Sequence, residues 1–112
     1  MDDLTALKER VCKEIDAARG EFVALSRRIH ENPELGMQER QAAEWVGSLL
    51  RETGFSVERP IAGMETAFRA ETRGSGAHPH VALLAEYDAL AGLGHACGHN
   101  LICMASVGAA VA

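Results

Sequence analysis

Across residues 4–29 apolar side chains recur every three or four positions, at Leu4, Leu7, Val11, Ile15, Ala18, Phe22, Leu25 and Ile29. That is the period of an α-helix, so the stripe predicts one long amphipathic helix with a single face to bury. Lys8, Glu9, Lys13, Glu14, Asp16, Arg19 and Arg27 cover the other face. Asn32-Pro33 ends it, because a residue before proline is pushed out of helical geometry. The stripe also suits a coiled coil, but it runs under four heptads and the period changes downstream, which favours packing on a sheet.

A second helix is expected over about residues 38–53, with Ala42, Trp45, Val46, Leu49 and Leu50 inward and Gly54 as terminator. Glu39, Arg40, Glu44, Arg51 and Glu52 would form its exposed face. Phe55 and Val57 then read as a short strand, followed by a turn at Pro60 and Gly63. Met64, Thr66, Phe68 and Ala70 alternate with polar residues, the pattern of a half-buried strand. After a turn at Arg73-Gly74-Ser75-Gly76, residues 80–85 are apolar almost throughout, as in a central strand buried on both faces. From Asn100 the small residues Ala105, Gly108, Ala109 and Ala112 point to a tightly packed helix, with Asn100 as its N-cap. The order helix, helix, strand, strand, strand, helix defines an α/β fold, with the first and last helices on opposite faces or edges of one sheet.

With 112 residues the chain suits a single core. A net charge of -5, no basic run, and only one Trp, one Tyr and three Phe argue against a nucleic-acid or anionic-membrane partner. No apolar stretch reaches the roughly 18 residues of a bilayer span, and Met1-Asp2-Asp3 is acidic where a secretory leader is basic, so a cytoplasmic protein is expected. Three cysteines make no disulfide framework; Cys12 and Cys103 fall on apolar helix faces and read as core thiols. No Lys or Arg follows Arg73. The apolar run to Ala112, without a polar stop, reads as the N-terminal piece of something longer.

The chemistry-bearing residues gather after the third strand, where open α/β sheets place their sites. Glu86, Asp88, His95, Cys97 and His99 lie within fourteen residues, a donor set suited to zinc, manganese, cobalt or nickel. Cys97 and His99 are two apart, so in extended backbone both leave the same side, and Gly98 lets the chain bend. Each residue also has a plainer role: Asp88 could cap the loop, Glu86 could be a solvated strand end, His30 could favour the first helix's dipole, and His78 and His80 could lie on the surface.

The runs Leu84-Ala85-Glu86-Tyr87-Asp88-Ala89-Leu90 and Gly92-Leu93-Gly94-His95-Ala96-Cys97-Gly98-His99-Asn100-Leu101-Ile102 resemble the aminoacylase/carboxypeptidase-type metallopeptidase family. They are most similar to its amidohydrolase branch, which includes p-aminobenzoyl-glutamate hydrolases and Xaa-Arg or β-alanyl-lysine type dipeptidases. Arg28-Ile29-His30-Glu31-Asn32-Pro33-Glu34-Leu35-Gly36, with Glu39, is similar to that branch's N-terminal helix signature, and the likeness covers about residues 20–112. It implies that residues 1–112 are the N-terminal part of a three-layer α/β/α catalytic domain, with the dimerisation domain and remaining ligands beyond Ala112. Cys97 and His99 would be ligands of a site for two divalent ions, zinc or manganese foremost. Asp88 would orient a ligand or bridge to the site. Glu86 stands where the wider family has a histidine ligand and is not counted as one. Asn100 replaces the aspartate of plant auxin-conjugate hydrolases, and Ala91 stands where the family usually has proline.

The implied reaction is hydrolysis of an amide bond next to an amino acid, in a small conjugate or dipeptide, by a homodimer. The metals would activate water, and a downstream glutamate would take its proton. The 112-residue chain alone is expected to be inactive and to bind metal weakly, since Cys97, His99 and Asp88 cannot fill two coordination shells. The rival class is a non-catalytic structural or interaction module with a relic metal loop.

Overall fold

The long stripe forms α1, Asp3–Glu31, in the computed structural model, which describes residues 3–74, 76 and 78–112. At 29 residues, α1 is about 43 Å long. Among the described residues full burial comes only in its C-terminal third, at Phe22, Leu25, Ser26 and Ile29, whereas Leu4 and Leu7 are 58% and 48% exposed. Cys12, expected in the core, is exposed as well, because among the described residues the buried core reaches only the C-terminal part of the helix.

α2, Arg40–Glu52, buries Ala42, Ala43, Val46, Leu49 and Leu50. Gly54, at φ 99°, lets the chain reverse out of the helix. Glu39, read from sequence as exposed, is buried, because the segment around Thr66 folds back over it. β1, Ser56–Glu58, pairs antiparallel with β2, Arg69–Glu71, in the register Ser56↔Glu71, Val57↔Ala70 and Glu58↔Arg69. The strand expected from Met64 onward is shortened to β2; ahead of it the chain turns, with Met64 N–H on the Ile61 carbonyl at 2.9 Å and Ala67 N–H on that of Met64 at 3.2 Å.

The last helix, α3, His99–Val111, packs directly against α1 rather than across a sheet from it. The two helices come close at Gly108, where a Cβ would touch the Phe22 ring, 3.4 Å from Cε2. Ile29, Val46 and Cys103, one from each helix, are the largest fully buried side chains, so the core lies where the three helices meet.

Residues 80–85 do not form the expected central strand. Val81, Leu83 and Leu84 are 82%, 51% and 85% exposed, and the one sheet among the described residues is the β1–β2 hairpin. A strand exists through its ladder partners, and among the described residues none stands beside this segment. It is tied to α3 by Ser106 Oγ, which donates to the Leu84 carbonyl at 2.6 Å. The expected turn at residues 73–76 includes Ser75, which lies outside the described residues. The fold is mixed α/β: a three-helix core carrying a small hairpin. No described helix is long and apolar enough to cross a membrane.

This distribution of burial separates two substitutions on one helix. Ile29→Ala is expected to cost about 2–5 kcal/mol in urea unfolding, whereas Leu7→Ala should stay within about 0.5 kcal/mol of the parent. Equal losses would show that the first turns of α1 are buried after all.

Candidate functional site

The segment before α2 fixes the site loop. Glu34 accepts the Gln41 and Ala42 N–H groups on its carboxylate, at 3.1 and 2.9 Å, satisfying donors that a helix start leaves open. Its backbone carbonyl accepts the Ala89 N–H at 2.8 Å, and Leu35 and Ala89 form a parallel bridge. The loop then closes a turn in which Leu90 and Gly94 exchange N–H···O bonds of 2.9 and 3.0 Å, without a proline at Ala91. Gly98 adopts φ 72° and serves as the N-cap of α3, so Asn100 is not the cap but lies inside the first turn. Its amide instead donates to Ser26 Oγ at 3.1 Å, which ties the start of α3 to α1.

Between these anchors Asp88 and His99 meet. His99 Nδ1 lies 2.8 Å from Asp88 Oδ1 and 3.0 Å from the Asp88 backbone oxygen; both are acceptors, so Nδ1 donates. Glu86 Oε2 stands 3.1 Å from Nε2. Cys97, two residues before His99, is exposed. No group of three or more His, Cys, Asp or Glu side chains able to hold a metal ion is assembled among the described residues.

His95 is placed differently from its motif neighbours. It is 8% exposed, and neither ring nitrogen has a hydrogen-bond partner among the described residues. The His30 ring lies 6.2 Å away, centroid to centroid. Burial lowers the His95 pKa below its usual value, the imidazoles of His30 and His99 lower it further, and the Ile29 backbone and Asp88 pull the other way. Burial pushes the Cys103 thiol up to about 12, as suits a core cysteine.

Beside Asp88 opens a cleft of ≈ 270 Å³, lined in part by Met37, Glu39, Thr66, Phe68, Tyr87 and Asp88. Thr66 Oγ1 donates to Glu39 Oε2 at 2.6 Å, and Tyr87 donates its hydroxyl to the Thr66 carbonyl. Burial, then the Glu39 carboxylate, raise the Tyr87 pKa, so the phenol stays protonated. Glu39, Thr66 and Tyr87 were not singled out from sequence as site residues. Glu39 at a helix start and Tyr87 between two acids were visible signals; Thr66 carried none.

No protein-family model matches the chain. It is 45% identical to Xaa-Arg dipeptidase of Mus musculus over 97% of its own length, and 42% identical to that of Homo sapiens over 98%. It is 37% identical over 88% to one of the polypeptides of p-aminobenzoyl-glutamate hydrolase of Escherichia coli (strain K12). These relatives are hydrolases and peptidases by name. The chain belongs to their family, the aminoacylase/carboxypeptidase type, in its amidohydrolase branch. It spans about a quarter of the length of the curated relatives it matches, at 27%, 27% and 24%.

Two measurements follow from the burial of these groups. The folded state keeps His95 neutral at pH values where the unfolded chain protonates it, so this contribution to stability is full above the usual histidine value of 6.5 and is lost as pH falls below it. His95→Phe should therefore flatten the decline in urea midpoint between about pH 7 and pH 5 and cost little at neutral pH, because it removes two unpartnered polar atoms; an unchanged slope would locate the acid sensitivity elsewhere. Second, at mildly alkaline pH Cys12 and Cys97 should alkylate in the folded chain while Cys103 reacts only after unfolding, as peptide mass mapping can score.

Proposed function

We propose that the protein carrying this chain is a metal-dependent amidohydrolase or dipeptidase that cleaves the amide bond next to an amino acid in a small conjugate or dipeptide. The observation that carries the reading is the Asp88–His99 pair. A carboxylate on Nδ1 orients the ring and leaves Nε2 on its far side for a ligand, the arrangement that metal-ligating histidines adopt. Cys97, exposed two residues earlier and next to a left-handed Gly98, supplies a soft donor beside it. The donor set therefore fits a borderline divalent ion such as zinc or manganese, with Cys97 and His99 as ligands and Asp88 as the group that orients His99. The names of the relatives support amide and dipeptide substrates.

Bound divalent metal would lower the pKa of water and polarise the amide carbonyl. The chain's own contribution is positional. Glu34 and Asn100 hold the two ends of the loop, Asp88 keeps the proton of His99 on Nδ1, and the cleft at Tyr87 and Thr66 offers an amide-sized recess alongside. In this reading the chain contributes the first part of a three-layer α/β/α domain, pairing residues 80–85 with strands from the rest of the protein. A two-ion site and a homodimer belong to the same reading.

The experiment uses the whole protein with p-aminobenzoyl-glutamate and Xaa-Arg dipeptides as substrates and metal content measured alongside. Chelation should abolish turnover and zinc or manganese restore it. Cys97→Ala and His99→Ala should lose metal and activity together, and Asp88→Asn should weaken metal binding about 10–100-fold. Turnover that survives complete removal of metal would overturn the proposal; bound metal without turnover on any amide would favour a relic binding module.

A further inference from the structure

His99 stands between two carboxylates. Its Nδ1 faces two acceptors of Asp88, the carboxylate at 2.8 Å and the backbone oxygen at 3.0 Å, and so carries the proton. Its Nε2 faces a third acceptor, Glu86 Oε2, at 3.1 Å. A neutral imidazole has one N–H to give. With Nδ1 directed at Asp88, Nε2 and the Glu86 oxygen are two donor atoms facing one another, and a cation taking the place of a proton between them would be held by both.

The spacing suits a shared ion. Two ligand atoms each about 2.1 Å from one ion lie roughly 3.0 Å apart at a right angle and roughly 3.4 Å apart at the tetrahedral angle. The observed 3.1 Å falls between these values. Access is open, since the Glu86 side chain is 58% exposed and that of His99 21%. The peptide between the two acids is also held, because Tyr87 donates its hydroxyl to the Thr66 carbonyl and leaves Glu86 and Asp88 on either side of an anchored residue.

Resting on the reading of Cys97 and His99 as metal-binding, we propose that Glu86 is a further ligand, holding the same ion as His99 Nε2 while Asp88 orients the imidazole from its other side. By the resemblance Glu86 stands where the wider family has a histidine ligand, and its carboxylate is not counted as one; the contact with His99 Nε2 is what assigns it to the ion. The carboxylates two residues apart thereby take different work: Glu86 contacts the ion, and Asp88 acts only through His99.

The test is cobalt(II) and zinc(II) binding to the whole protein, with affinities from competition against a chromophoric chelator and coordination read from the cobalt d–d bands and the thiolate charge-transfer band. Glu86→Gln keeps the side chain's size and lies on the surface, so folding is not at stake; circular dichroism confirms it. The expected result is an affinity at least about tenfold lower, with a shifted d–d envelope and an intact thiolate band. A Glu86→Gln variant that binds within twofold of the parent, while His99→Ala abolishes binding, overturns the Glu86 assignment and leaves the Cys97/His99 reading standing. Weaker binding with an unchanged d–d envelope also overturns it, because Glu86 would then act only as a nearby charge. If Cys97→Ala and His99→Ala bind cobalt as tightly as the parent, the underlying metal reading falls and this inference falls with it.

Discussion

The structure depends on what Glu34 does with both of its ends. Its carboxylate occupies the open N–H groups of α2, where a negative charge also meets the positive end of the helix dipole. Its backbone carbonyl receives the Ala89 N–H, one residue after Asp88. A single residue in a short link thus sets where α2 begins and where the site loop begins. Because α2 has no side-chain cap of its own at Glu39, the Glu34 carboxylate fills a role that local sequence leaves vacant.

The other end of the loop is fixed by packing. The Phe22 ring lies against Gly108, α3 settles onto α1, and Asn100 locks the first turn of α3 to Ser26. His99 is the first residue of that helix, so its ring inherits the helix's position. Asp88 enters from the Glu34 side and His99 from the α1 side. Their 2.8 Å contact is the point at which two independent attachments agree, and for that reason it reports on the integrity of both.

Elements governed by local pattern were legible in the sequence. The stripe through Leu4 and Ile29, the apolar face of α2 and the Gly54 stop correspond to helices within a few residues of their expected bounds, since period and termination are local properties. The cluster from Glu86 to His99 was legible as a donor-rich loop, whereas the contact of Asp88 with His99 came only with the fold. What depended on neighbours was not. Cys12 and Leu7 carry the right spacing for burial but are exposed, with no covering element among the described residues. Residues 80–85 carry the composition of a buried strand without a ladder beside them, and Asn100 exchanged the cap that its type favours for a tertiary partner 74 residues away. Glu39 looked solvated by helical phase, and Thr66 turned it into an interior group.

α1 is one continuous helix with two levels of stability. None of the side chains described in its first half is fully buried, so its backbone hydrogen bonds can open by fraying that leaves the core untouched. The stretch that includes Phe22, Leu25 and Ile29 opens only when α2 and α3 let go of it, which is the unfolding of the whole. Amide hydrogen exchange along α1 should therefore read as a gradient, quick at Leu7 and as slow as global unfolding allows at Ile29, and the residue where the rate levels off marks where the helix stops being a free rod and becomes part of the fold.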